Sequence, residues 1–306
     1  MDLRFLQSFI HVVEFGSIAE AARRLDLAPS SVAQRLQALE SDLGVPLVMR
    51  AGRTVKPTAA GSRMIEHARY LLHGMEELRA AASSTDLPAG PLRIGSTPTG
   101  LAGYMPILLK QWVAHYPQIE IFIDPGPTAL LYSKVLSEQL DAALIVQPPF
   151  TFPKSCLWHT LHTEQLILLT SIDLSVKDVL KTVRTHPYIW YDRNSIGGKL
   201  AEDYLKAHDI KPNGRFELDD IAAIARLVGA GLGVSVLPDW TITGPPDTAT
   251  RRWGLPSPTP HRTVGVIWSR ASARAPLVEA FLEPFRQDRR KLQGLSGPSQ
   301  ESSIFS

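Results

Sequence analysis

A single cysteine, Cys156, stands among 306 residues. One thiol excludes an intramolecular disulfide and any zinc site built from several cysteines. The natural compartment for such a chain is a reducing cytoplasm. Long apolar runs are missing too: no stretch approaches the ~20 residues of a membrane-spanning helix, and no apolar segment follows a basic start as in a secretory signal. There is no strong charge of either sign. Lys and Arg number 32 against 30 Asp and Glu, a formal net charge of +2, so any nucleic-acid binding must be local. Catalytic signatures are scarce. No Gly-Lys-Ser/Thr phosphate loop occurs, and Gly229, Gly231 and Gly233 follow a helix pattern, which disfavours a dinucleotide loop. His159 and His162 are neighbours without a third ligand. No metal, cofactor or catalytic residue is therefore expected.

What is present is enough apolar sequence for real cores and enough length for two or three domains. The most informative stretch is SIAEAARRLDLAPSSVAQRLQALESDL, Ser17 to Leu43. Ser17 and Glu20 fit a capping box, in which the hydroxyl accepts from the Glu20 N–H and the carboxylate reaches back to Ser17. Asp26, Leu27 and Ala28 turn the chain, and Pro29 suits the first turn of a new helix. Val32, Leu36, Leu39 and Leu43 fall on one face. Ser30, Ala33, Gln34 and Gln37 fall on the other, and Gly44 ends the helix. Two helices joined by a tight turn make a helix-turn-helix, whose second helix can enter a DNA major groove. Upstream, Leu3, Leu6, Phe9, Ile10 and Val13 mark a supporting helix, started by Asp2 and closed near Gly16. Downstream, GVPLVMRAGRTVKPT reads as a hairpin turning at Ala51-Gly52. It carries Arg50, Arg53 and Lys56 without a nearby acid, as phosphate contact or minor-groove insertion requires.

This N-terminal region resembles the LysR-type transcriptional regulators. The matching features are the Leu39, Glu40, Leu43, Gly44 run, then Arg50, Arg53, and Thr58-Ala59-Ala60-Gly61. The resemblance is dense over about sixty residues and extends in outline to Gln287. The chain departs from the family at the groove-facing positions. Ala28-Pro29 replaces the usual Ser-Gln, Ala33 a usual Ser, Gln34 a frequent Arg, and Leu47-Val48 the usual Leu-Phe. The candidate DNA-contacting residues are Pro29, Ser30, Ser31, Gln34, Arg35, Arg50, Arg53 and Lys56. Pro29 cannot hydrogen-bond a base edge, whereas Gln34 can make a bidentate contact to adenine and Ser30 can reach a phosphate or a base. Arg35 is open between a phosphate and a neighbouring acid.

After Thr58, residues Met64, Ala68, Leu71, Met75, Leu78 and Ala82 alternate steps of four and three, a short heptad seam. In the family this is a linker helix that pairs between subunits, so the resemblance implies dimers that assemble into tetramers, and contact with the transcription machinery. SSTDLPAGP, Ser83 to Pro91, is a boundary. Beyond it strands and helices alternate, which predicts parallel βαβ units with helices on both faces of the sheet. Leu101 to His115 reads as one helix. The expected fold is α/β: an N-terminal winged helix-turn-helix (1–58), a linker helix (59–82), a hinge (83–90) and a two-lobed effector domain resembling periplasmic binding proteins (91–293). Lobe I takes about 91–161 and 267–293, lobe II about 162–266, and 294–306 form a tail.

Ligands in such sheets sit beyond the carboxyl ends of strands. Ser96, Thr97 and Thr99 leave the first strand there and suit a carboxylate or another anion, an organic acid for example. Thr128, Gln147, Arg193 and Ser195 are further candidates; Arg193 either clamps an acid group or pairs with Asp192 or Asp219. The expected function is a sequence-specific regulator that binds double-stranded DNA under control of a small molecule. The rivals are a ligand-binding protein of periplasmic type without a DNA role, and an enzyme with an unrecognised site.

Overall fold

The computed structural model describes residues 2–52, 54–82, 91–240 and 249–287, and the chain divides chiefly at Gly90–Pro91 into two compact units, with Leu136–Gln139 grouped with the first. Arg53, the expected hinge at 83–90 and the expected tail at 294–306 lie outside the described residues.

The first unit runs α1 (Leu3–Phe15), α2 (Ile18–Arg24), α3 (Pro29–Leu43), β1 (Val48–Ala51), β2 (Thr54–Pro57) and α4 (Ala59–Ala81). Asp2 caps α1 by accepting from the Arg4 N–H, and Gly16 ends it at φ +62°, a left-handed conformation that glycine adopts without steric cost. Half of the expected capping box forms. Ser17 accepts from the Glu20 N–H at 3.4 Å, but the Glu20 carboxylate turns to Arg23 and Arg24, because two guanidiniums outcompete one backbone amide. Leu6, Phe9, Val12, Ala21, Ala22, Val32, Leu36 and Leu39 interlock in the core. Leu43, expected on the same face, is 41% exposed, since it lies in the last turn, past the end of the packed surface.

α4, the expected linker helix, buries part of the expected seam within its own unit. Ala68 is buried and Met64 half-buried against this core, whereas Leu71 and Leu78 stand 44% and 68% exposed. The front of the stripe therefore packs on its own unit, and only the rear is open.

The second unit continues with β3 (Leu92–Ser96), α5 (Pro98–Gly103), α6 (Met105–His115), β4 (Ile121–Pro125), α7 (Thr128–Leu136), β5 (Ala142–Val146) and β6 (Cys156–Ser171). It then runs α8 (Val179–Thr185), β7 (Pro187–Tyr191), α9 (Ile196–Ala207), β8 (Asn213–Leu218), α10 (Ile221–Gly229), β9 (Ser235–Pro238), β10 (Thr250–Gly254), β11 (His261–Ser269) and α11 (Ala275–Gln287). The helix expected over Leu101 to His115 is two helices. Pro106 has no N–H to continue the first, and Tyr104 turns the chain between them.

The sheet is mixed rather than parallel. β3 pairs in parallel with β4 and β5, but β11 runs antiparallel to both β5 and β6. The sixteen-residue β6 pairs with β11 up to Gln165, then with β9 and β10 from Leu166. One strand thus belongs to both lobes. β11 reaches β5 by Val264, so the chain returns to the first lobe slightly earlier than the expected residue 267. Separate cores lie around β6, β7 and β9 in the second lobe and around α7 and β5 in the first.

Candidate functional site

The buried Val32, Leu36 and Leu39 orient α3 so that its other face points to solvent. Pro29, Ser30, Ala33, Gln34 and Gln37 are exposed, and Ser31 and Arg35 half-buried. Arg35 lies close enough to Asp2 to help lower that carboxyl to about 2, although the dominant cause is the hydrogen bond from Arg4. The neighbouring cations differ. Arg23 and Arg24 are tied to Glu20, while no described acid pairs with Arg50 or Lys56. On the wing, Arg50 faces Val55 and Met49 faces Lys56 across the ladder. Arg50 and Lys56 therefore leave the ribbon on opposite faces.

The base of the wing is fastened from several sides. Val55 donates to the Gly16 carbonyl at 2.7 Å, and Thr58 donates through its N–H to Leu47 and through its hydroxyl to Pro46. Glu40 Oε1, on α3, accepts the N–H groups of Leu47 and Val48 at 2.7 and 3.1 Å. Glu40 thus couples α3 to the strand that carries Arg50. Glu40→Ala leaves two amides without their acceptor, at about 1–3 kcal/mol. The expected result is a folded protein with weaker DNA binding and a shallower salt dependence, recovered largely by Glu40→Gln, which keeps an acceptor oxygen. Equilibrium binding at several salt concentrations measures both.

In the second unit the expected effector residues separate into groups. Ser96 is fully buried, and its hydroxyl donates to the Thr97 carbonyl. Thr97 is buried and caps α5 through the Gly100 N–H. Ser195 caps α9 through the Gly198 N–H at 3.0 Å. Thr128 is half-buried at the start of α7, and Gln147 is exposed. Arg193 is taken by neither expected partner. It chelates Glu217 at 3.0 and 2.7 Å, leans toward Glu202, and lies 4.9 Å above the Trp190 ring. An exposed guanidinium held by a bidentate carboxylate is not a vacant clamp.

The sequence did not single out Arg262, Glu164 and Tyr104, which gather here with Tyr191. Arg262 and Glu164 face each other across β11 and β6, where the strands pass between lobes. Both side chains are 1% exposed, and Nε of Arg262 donates to Glu164 at 2.7 Å. The other carboxylate oxygen accepts the Tyr104 hydroxyl at 3.1 Å. Arg262 also donates to Thr99 at 3.5 Å and interacts with the Tyr191 side chain. Burial works against its charge, but the Glu164 carboxylate and Tyr191 outweigh that and raise its pKa above the ordinary value. Of the expected residues, Thr99 meets this centre directly. Cys156, half-buried in β6, has its thiol pKa pushed up by burial, so it is a poor nucleophile. Among the described residues no group of His, Cys, Asp and Glu is placed to hold a metal, and no helix is long and apolar enough to cross a membrane.

Comparison with known proteins adds a third line. Residues 3–62 match the model for bacterial regulatory helix-turn-helix proteins of the lysR family, and residues 85–290 the model for the LysR substrate binding domain. The transcriptional regulator GltR of Bacillus subtilis is 32% identical over 238 residues, 78% of this chain and 80% of that protein. The transcriptional activator IlvY of Salmonella typhimurium is 26% identical over 291 residues, 92% of this chain and 98% of that protein. Among solved structures, full-length CbnR complexed with its target DNA superposes with a TM-score of 0.66 at 23% identity, over 94% of this chain and 99% of that one.

Proposed function

The chain belongs to the LysR family of bacterial transcriptional regulators, and from that premise we propose how this member works. It binds double-stranded DNA sequence-specifically through α3, with the wing holding phosphates on either side of its ribbon. A small-molecule effector, of organic-acid type, binds between the lobes of the second unit. Binding shifts the population of lobe arrangements, and hence the presentation of the reading helices in a self-associated assembly. The protein acts in the cytoplasm and catalyses nothing. The transcription machinery is its further partner.

The observation that carries this reading is the two-faced α3: three apolar residues buried on one side, and Ser30, Ala33, Gln34 and Gln37 exposed on the other beside two uncompensated wing cations. The test is binding to the promoter of its own gene across a salt series. Each phosphate-contacting cation contributes about one unit to the slope of log affinity against log salt. Arg50→Ala and Lys56→Ala should each lower the slope by about that amount without changing base preference. Gln34→Ala should do the reverse, relaxing one position of each half-site by about 1–3 kcal/mol. Affinity that does not respond to salt, or a selected motif unchanged by Gln34→Ala, would contradict these assignments.

A further inference from the structure

The guanidinium of Arg262 has two edges, and they face different surroundings. Nε is held by Glu164 inside the crossing strands. Nη2 points to Thr99, in the first turn of α5 in the first lobe, through a long contact of 3.5 Å. Nη1 lies toward Gly197, in the first turn of α9 in the second lobe. A Cβ built on Gly197 would come within 3.1 Å of Nη1 and within 2.8 Å of the Tyr191 ring. Glycine is what lets α9 approach so closely. The terminal edge of the fork is therefore set between the lobes, flanked by a hydroxyl from one and a helix start from the other. A helix N-terminus carries positive partial charge, and here it abuts a buried cation. Glu164 and the Tyr191 side chain hold the guanidinium in its charged form, and the helix start beside Nη1 adds a second feature that favours an anion at this edge.

We propose that Arg262 is the charge-recognising residue of the effector site, and that its Nη edge takes a carboxylate of the effector, to which the Thr99 hydroxyl also donates. Glu164 and Tyr104 act as positioning residues that fix the plane of the fork. A planar guanidinium offers two parallel N–H groups to a carboxylate, a geometry that a neutral amide cannot match in charge. Because the fork touches both lobes, a carboxylate seated on it ties α5 to α9 and favours one lobe arrangement. This deepens the effector reading above and rests on it.

The test uses the full-length protein with acetate, succinate and benzoate, each set against acetamide, succinamide or benzamide at equal ionic strength. Thermal shift and amide exchange over 97–103 and 195–199 are the readouts. At least one carboxylate, and no amide, should raise the melting temperature and slow exchange in both turns. The double variant Arg262→Met/Glu164→Met removes both charges and leaves no lone buried ion; it should weaken the response at least tenfold. Thr99→Val keeps the ion pair intact and should weaken it several-fold, which preserves the test if the double variant fails to fold. If no carboxylate exceeds its amide in the wild-type protein, or if the response survives in the folded double variant, the assignment of Arg262 is overturned. Promoter binding is measured in parallel on every variant. Its loss in the wild type would count against the regulator reading, whereas an amide that alters DNA binding would leave that reading standing and remove only the carboxylate.

Discussion

Replacing Gly61 by valine is expected to cost the first unit roughly 3 kcal/mol, at the upper end of ordinary overpacking. A Cβ at this position falls on the Leu47 carbonyl oxygen, with the Leu47 carbonyl carbon at 3.0 Å and Pro57 Cβ at 3.3 Å. The obstacle is backbone, which no rotamer change can clear. That same carbonyl accepts the Thr58 N–H at 2.9 Å, so moving it away also breaks the junction between the wing and α4. For a unit of about this size the loss corresponds to a fall on the order of 10–20 °C in its melting temperature. Calorimetry of the full chain should show one transition displaced and the other unchanged. DNA binding should be lost at temperatures where the second unit is still folded. A variant with wild-type melting and affinity would mean that α4 can shift freely against the wing.

The second large effect is expected at the open end of α4. Leu71 and Leu78 lie seven residues apart on the same stripe, and no described core covers them. Apolar side chains at that spacing are what a partner helix would bury, each contributing about 1.5–3 kcal/mol when fully covered. Leu71→Glu with Leu78→Glu should abolish pairing along this helix while sparing the fold of the monomer, because both positions are already exposed. Multi-angle light scattering should then report a smaller particle. Affinity for a two-half-site operator should fall toward that of a single half-site. An unchanged mass in a folded variant would exclude this stripe from self-association. Ala68→Glu makes an instructive contrast: Ala68 is buried within its own unit, so that change should unfold rather than dissociate.

Local patterns made the first unit legible. Pro29, the Val32-Leu36-Leu39 face, the Gly16 and Gly44 ends and the wing hairpin are all encoded within a few residues of where they act. The reading failed where a competitor arrived from nearby or a partner from far away. Glu20 left its expected capping role for two arginines one turn along. Arg193 is open in the sequence between an anion clamp and a pair with Asp192 or Asp219, whereas the carboxylate that holds it, Glu217, lies 24 residues on. The Arg262–Glu164 pair spans 98 residues and joins strands whose sequences announce only apolar alternation, so spacing held no sign of it. β8 and β10 escaped notice for another reason: both are short and mostly exposed, with no apolar face to mark them. Ser96 shows the limit of analogy, since a hydroxyl at the carboxyl end of a strand is as well suited to bonding the next carbonyl as to bonding a ligand.

The sharing of β6 by both lobes has a mechanical meaning. A linker loop bends at a point and transmits nothing beyond it. A ribbon of paired strands resists bending in its own plane and yields instead by changing its coil. The sixteen residues of β6 span about 50 Å at the usual rise, and β11 braces it with one slip of register between Val264 and Gly265. A rotation imposed at one end must therefore travel along the ribbon as torsion, as in a spring bar, and the buried ion pair sits midway along the bar, where that torsion is felt by both ends at once.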